Sequence, residues 1–210
     1  MSALRLAVVS SAMLFIAVAG GFHPASAADA STDLTPDGVR GALLISEFYP
    51  CAVNSDEYLV LSNRGTEAVN LSGWSLTDGE GVLLFRGGVV APGGRFSVSE
   101  NASSYLSAYG VPPDVQAPGW GSGEGVESSG SFRMADSGDA VELVSSDGLV
   151  SDVVAYGAAT PPAYGWAGEA IPSLRDGEVA RRVRPLGLQD TDSALDWMPF
   201  REHRYGFSSH

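Results

Sequence analysis

The sequence predicts an all-β protein, a sandwich or barrel of short strands. Apolar, strand-like runs recur along the chain, and Gly and Pro punctuate them every eight to twelve residues, the rhythm of such folds. A hairpin signal, an Asp-Gly pair between two apolar runs, lies at Asp147-Gly148. Only one segment carries a helical period.

In order, residues 43–49 and 57–62 form two strands around a polar gap, followed by a turn at Asn63, Arg64 and Gly65. Val69-Asn70-Leu71-Ser72-Gly73-Trp74 leads into a third strand ending at Asp78. Residues 82–86 form the next. Pro92-Gly93-Gly94 turns the chain into a strand over 95–100 with Phe96 and Val98 on one face. Asn101 caps a short helix in which Ala102, Tyr105, Leu106 and Tyr109 make one apolar stripe, read as core packing, and Gly110 and Pro112 end it. Residues 111–131 are rich in Pro, Gly and Ser and read as a long loop, an insertion or a functional segment. Strands resume at 132–135 and 140–145. A primed turn at Ser146-Asp147-Gly148 then joins the latter to a strand over 150–156. A second Gly/Pro-rich loop over 157–177 precedes a last strand at 178–184.

The start of the chain reads as an address. Arg5 is the only charge before Asp29, an apolar run extends from Leu6 to Phe22, and Ala25-Ser26-Ala27 fits a cleavage site. An uncleaved anchor is the alternative, but the run is short for a span of about 20 residues and carries Gly20 and Gly21. The expected organisation is a signal peptide over 1–27, a flexible lead-in over 28–42, the sandwich over 43–197 and an irregular tail over 198–210. The mature chain would be secreted or held at the cell surface. It would carry 11 arginines against 25 acids, a net charge of −14, which repels nucleic acid and anionic lipid. No lysine occurs among the 12 basic residues, so lysine chemistry is excluded. Cys51 is the single cysteine and can form no internal disulfide. It reads as a thiol without function, with an intermolecular disulfide as the other reading.

Several motifs, in this order and spacing, resemble one family. They are Asp56-Glu57-Tyr58, Leu71-Ser72-Gly73-Trp74, Pro92-Gly93-Gly94, the run from Gly138 to Leu143, Ser146-Asp147-Gly148, and Val153-Val154-Ala155-Tyr156-Gly157. Together they are similar to the lamin tail domain, over about residues 43–157, with an extension to Trp197 like that of exported prokaryotic members, chiefly archaeal. The resemblance implies an immunoglobulin-like β-sandwich that works as a binding module and not as a catalyst. Independently of it, Trp74 follows a glycine that permits a tight bend, and its ring suits the anchor of a small core. In some members the tail domain precedes a phospholipase D-like region, and the segment from Asp190 to Ser209 resembles that junction. A lysine-free chain cannot hold the His-x-Lys pair of that class, so a truncated accessory domain of such a hydrolase is an alternative reading.

Candidate sites are few. Asp190, Asp192 and Asp196 give D-x-D-x-x-x-D, an oxygen-rich pattern that suits Ca2+. An EF-hand loop would need an acid or amide and then Gly where Ala194 and Leu195 stand, so a solvated turn or cap is the competing reading. No other cofactor is expected. His203 and His210 have no nucleophile elbow to serve, which leaves no catalytic triad. Trp120, Tyr164 and Trp166 lie in the Gly/Pro-rich loops. They read either as exposed platforms for a sugar or partner chain, or as rings folded back over the sandwich ends. Asn70 and Asn101 match the glycosylation sequon, with a helix cap the equal reading of Asn101. The sequence thus points to an exported, non-catalytic domain that contacts a cell-surface protein or glycan. The rival enzyme reading is a divalent-metal hydrolase built on Asp190, Asp192, Glu202 and His203.

Overall fold

The computed structural model describes residues 41–51, 55–183 and 190–201. The expected signal peptide, nearly all of the lead-in, and Glu202, His203 and His210 lie outside the described residues. The described residues fall within one compact unit, residues 33–210.

The described residues contain thirteen strands, one α-helix and two 3-10 turns. The strands are β1 (Leu43–Tyr49), β2 (Tyr58–Asn63), β3 (Val69–Asn70), β4 (Ser75–Thr77), β5 (Gly81–Phe85), β6 (Val89–Val90) and β7 (Arg95–Ser99). After helix α1 (Ala102–Tyr109) come β8 (Val115–Gln116), β9 (Val126–Gly130), β10 (Gly138–Val144), β11 (Val150–Gly157), β12 (Glu178–Arg182) and β13 (Trp197–Arg201). One sheet has the order β13-β12-β1-β2-β7-β8, a second has the order β11-β10-β4-β5-β9, and β3 pairs with β6. This is the expected all-β, immunoglobulin-like sandwich with one short helix.

Period-2 alternation sends Leu43, Ile45 and Phe48 of β1, Leu59 and Leu61 of β2, and Phe96 and Val98 of β7 inward. There they meet Leu76, Leu83, Phe85, Val141, Leu143 and Val153 of the other sheet in one continuous core. Trp74, 2% exposed, sits in that core as anticipated. Gly73 takes φ +82° before it, a value that costs a β-carbon-bearing residue strain and lets Trp74 N–H bond back to the Leu71 carbonyl at 2.9 Å.

Beta-strand β1 carries a bulge between Ile45 and Glu47, so alternation resets and both Ser46 and Glu47 stand on the outer face. Helix α1 covers part of that outer face. Asn101 caps it by accepting from Ser104 N–H at 3.2 Å, and Gly110 closes it in the left-handed conformation. Tyr105 and Tyr109 pack on Tyr49, Tyr58, Val60 and Val179, a second cluster separate from the sandwich core. Leu106, read as part of the packing stripe, is instead 46% exposed, because a helix lying flat on a sheet buries a narrower arc than the stripe spans.

Four other expectations are corrected. Residues 111–131 are not one loop: β8 joins the large sheet and β9 the smaller, with a 3-10 turn over Pro118–Trp120 between them. Their Gly and Ser content hides strands whose backbone pairs at sheet edges without an apolar signature. Residues 132–135 are extended but unpaired, since Arg133 and Ala135 N–H donate to the carboxylates of Asp78 and Asp139. The hairpin turn is wider than expected: Gly148 N–H bonds the Ser145 carbonyl at 2.9 Å, and Gly148 alone has positive φ, +81°. That is the turn-plus-bulge connection, in which the left-handed residue follows the turn instead of sitting at its centre. Finally, residues 198–201 are not irregular but belong to β13, which pairs with β12 from Trp197 to Arg201.

Candidate functional site

The part of the large sheet's outer face that α1 leaves open is a groove of about 760 Å³. Ser46 and Glu47 of β1, Val60 of β2, Arg95 and Ser97 of β7, and Arg181 of β12 form its floor. Tyr105, Tyr109 and the segment from Val111 to Asp114 wall it. That segment is pinned to β7, because Asp114 Oδ2 accepts from Ser97 N–H at 2.8 Å and from Ser97 Oγ at 2.9 Å.

Glu47 is the centre of the floor and is 3% exposed. Tyr58 OH donates to its Oε1 at 2.5 Å, while Arg95 Nη2 and Arg181 Nε approach Oε2 at 2.7 and 3.1 Å. Tyr109 OH donates in turn to Tyr58 OH, so a hydroxyl chain runs from the helix to the carboxylate. Burial pushes the Glu47 pKa up, but the Tyr58 hydrogen bond and the two guanidinium charges outweigh it and hold the carboxyl below its usual value. Arg181 also lies over the Phe200 ring, 5.5 Å from its centroid.

On the inner side of β12, Arg182 is fully buried in a cage of acids. Its Nη2 spans both carboxylate oxygens of Asp152 at 2.7 and 2.8 Å, and its Nε donates to the Ile45 carbonyl at 2.7 Å. Its Nη1 reaches Asp190 at 3.1 Å and Asp196 at 3.4 Å, and the Trp197 ring lies 4.7 Å away. Asp152 Oδ2 also accepts from Ile45 N–H at 2.7 Å, which ties β11 to β1. Burial raises the Asp152 pKa to about 6 against the pull of Arg182, so the pair stays ionised at neutral pH.

A model of the Lamin Tail Domain matches residues 37–158. The chain belongs to the lamin tail domain family. No curated protein matches the chain. Among solved structures, its fold is similar to that of a DUF4876 family protein from Bacteroides thetaiotaomicron. The TM-score is 0.52 and the identity 14%, over 76% of this chain and 71% of that one. The tail-domain match supplies Glu47, Arg95, Tyr109 and Asp114 of the groove and Tyr58, the buried partner of Glu47, whereas Arg181 and the acid cage's Arg182, Asp190 and Asp196 come after it. In this lamin tail domain protein, the later segment therefore adds β12 and β13 to the β1 edge and completes the groove floor.

The acids singled out in the sequence meet here only in part. Asp152, which the sequence reading did not single out, Asp190 and Asp192 each place a carboxylate oxygen within 4.8 Å of the others. Asp196 instead accepts from Thr191 N–H at 2.6 Å and Thr191 Oγ1 at 2.8 Å, while Ser193 caps the 3-10 turn over Ala194–Asp196. The Arg182 guanidinium supplies a cation to Asp152, Asp190 and Asp196. Burial and the Asp190 charge push Asp192 up to about 6.

The loop aromatics divide. Trp120, 3% exposed, packs edge-on against Phe132 and donates from Nε1 to Glu57 at 2.6 Å. Trp166, 8% exposed, donates to the Glu169 carbonyl at 3.1 Å. Both rings fold back into the core, so neither is an exposed platform, because each indole N–H finds a protein acceptor at the sandwich surface. Tyr164 alone is exposed, with its OH on Glu142 at 2.7 Å. Of the two sequons, Asn70 is exposed on β3, and Asn101 is the helix cap. Cys51 is buried, faces the Leu174 carbonyl at 3.3 Å, and has its thiol pushed up to about 11 by burial and nearby acids.

The groove's charged residues were missed. The available signal was an acid, Glu47, inside a largely apolar strand, and two adjacent arginines, Arg181 and Arg182, at the end of the short strand β12.

Proposed function

We propose that this protein is an exported, non-catalytic binding module that contacts a protein or glycan at the cell surface through the groove over Glu47. One observation carries the reading. The groove's central carboxylate accepts from Tyr58, is paired with Arg95 and Arg181, and is held ionised by them. A general acid or base needs a pKa poised near the working pH, and Glu47 is instead held below its usual value. Recognition needs fixed polar groups on a rigid floor, and an antiparallel sheet supplies them. No metal is required, since Arg182 offers the inner acids a protein cation. Export is supported by the signal-like residues 1–27.

The test has two arms. Intact mass measurement on protein from the producing culture should find the chain outside the cells with its N-terminus at residue 28. The labelled protein should bind the surface of those cells saturably and show no turnover on phosphodiesters or esters with Mg2+, Ca2+ or Zn2+. Metal-dependent turnover, or retention in the cytoplasm, overturns the proposal.

A further inference from the structure

We propose that the groove takes a carboxylate-bearing saccharide, with the ligand's carboxylate on Arg95 and its hydroxyls on Asp114; this rests on the binding-module reading above. Four observations lead to it. First, β1 and β2, which carry Ser46, Glu47 and Val60, are interior strands paired on both sides. Their backbones have no ladder groups left to bind a peptide by strand addition, so recognition must come from side chains. Second, Arg95 is a built anion fork. Its side chain is half-exposed, and one bond, Nη2 to Glu47, is its hydrogen bond among the described residues. A guanidinium has five donors in a fixed plane, so four face the groove or solvent, ready for a carboxylate held in two parallel bonds.

Third, Asp114 uses Oδ2 for Ser97 and accepts nothing at Oδ1 from the described residues. An acceptor fixed in place and open on one side suits a sugar hydroxyl. Fourth, Tyr109 lines the groove and is only part-buried, so some of its ring faces the ligand space, where the C–H face of a pyranose packs well. The charged residues lining this site are Glu47 and Asp114 against Arg95, Arg181 and Arg182, an excess of one cation. On a chain of net charge −13 an anion meets general repulsion, and a groove lined by more arginines than acids, with the Arg95 guanidinium half-exposed, offers a place where that repulsion is relieved. The apolar lining is confined to Val60, Val111 and Pro112 beside the tyrosines, too little to anchor an apolar ligand.

Calorimetric titration of the full chain tests this. The probes are trigalacturonate, triglucuronate and sialyllactose, with galactotriose as the neutral counterpart and a tetraglutamate peptide as a non-sugar anion. At least one acidic sugar should bind, and Arg95→Gln should weaken it about tenfold or more, the weight of a charge-assisted bond. Arg95→Lys, which keeps the charge beside Glu47 but loses the fork, should still bind several-fold more weakly. Thermal melts show whether each variant is folded. Failure of every acidic sugar, equal binding of galactotriose, equal binding by Arg95→Gln, or preference for the peptide overturns the proposal. If cell-surface binding persists while uronates neither bind nor compete, the saccharide assignment falls and the module reading stands. If surface binding is also absent, both fall.

Discussion

Replacing Arg182 by Met should be among the most damaging single changes in the protein. The side chain is fully buried, and its removal leaves Asp152, itself 3% exposed, and Asp196, 4% exposed, without their cation. It also removes the donor to the Ile45 carbonyl. Breaking one side of a buried ion pair costs about 3–5 kcal/mol. For a domain of this size each kcal/mol moves Tm by about 2–4 °C, so the drop should be roughly 6–20 °C. The loss should depend on pH with a definite sign. Asp152 is raised to about 6 in the folded protein, above its ordinary 3.8, so stability is fully present below that ordinary value and is lost as pH rises through about 6. Without Arg182 the Asp152 pKa rises further, so the variant's deficit should be larger at pH 8 than at pH 5. Adding Asp152→Asn, which keeps an acceptor for Ile45 N–H, should recover much of the loss, because the uncompensated charge is gone. Urea and thermal unfolding of wild type, single and double variants at both pH values measure this. A deficit below about 1 kcal/mol, or one unchanged by pH and by the second substitution, would refute the view that Arg182 neutralises buried acids.

Three further outcomes are expected. Burial and the Glu100 charge raise Glu57 to about 8, so its contribution is lost as pH rises from 4.5 through 8. Glu57→Gln keeps an acceptor for Trp120 Nε1 and should stabilise the protein by about 1–2 kcal/mol at pH 9 after screening, and flatten Tm against pH. Trp74→Ala should cost about 3–5 kcal/mol in urea unfolding by leaving a cavity between the sheets. Millimolar Ca2+ or a chelator should shift Tm by less than about 1 °C, since ligand-linked stabilisation needs a site that binds the folded state. A larger rise with Ca2+ would restore Asp190 and Asp192 as ligands.

How much was legible depended on whether a residue's role is local. Strands β1, β2 and β7 follow from apolar alternation, and the helix from Asn101, the tyrosine spacing and Gly110, signals that sit within a few residues of each other. Strands β8 and β9 escaped because they lie at sheet edges, where backbone pairing suffices and the side chains need not be apolar, and β13 escaped because Pro199 interrupts its apolar run, which only an edge strand tolerates. Trp120 and Trp166 look like loop aromatics until the chain folds, and then the acceptors Glu57 and the Glu169 carbonyl draw their indoles inward.

The sequence by itself determined the tail-domain scaffold, its strand-rich course, its acidity and its lack of lysine, because strand period, turn chemistry and net charge are local or summed properties. The tertiary structure decided where the charges act. Glu47, Arg95 and Arg181 become one groove only when β12 pairs with β1 and β2 pairs with β7. Arg182 meets Asp152 across a separation of 30 residues, and the Ile45 N–H reaches Asp152 across 107. No periodicity encodes such meetings, since they are set by which strands pair and in what register.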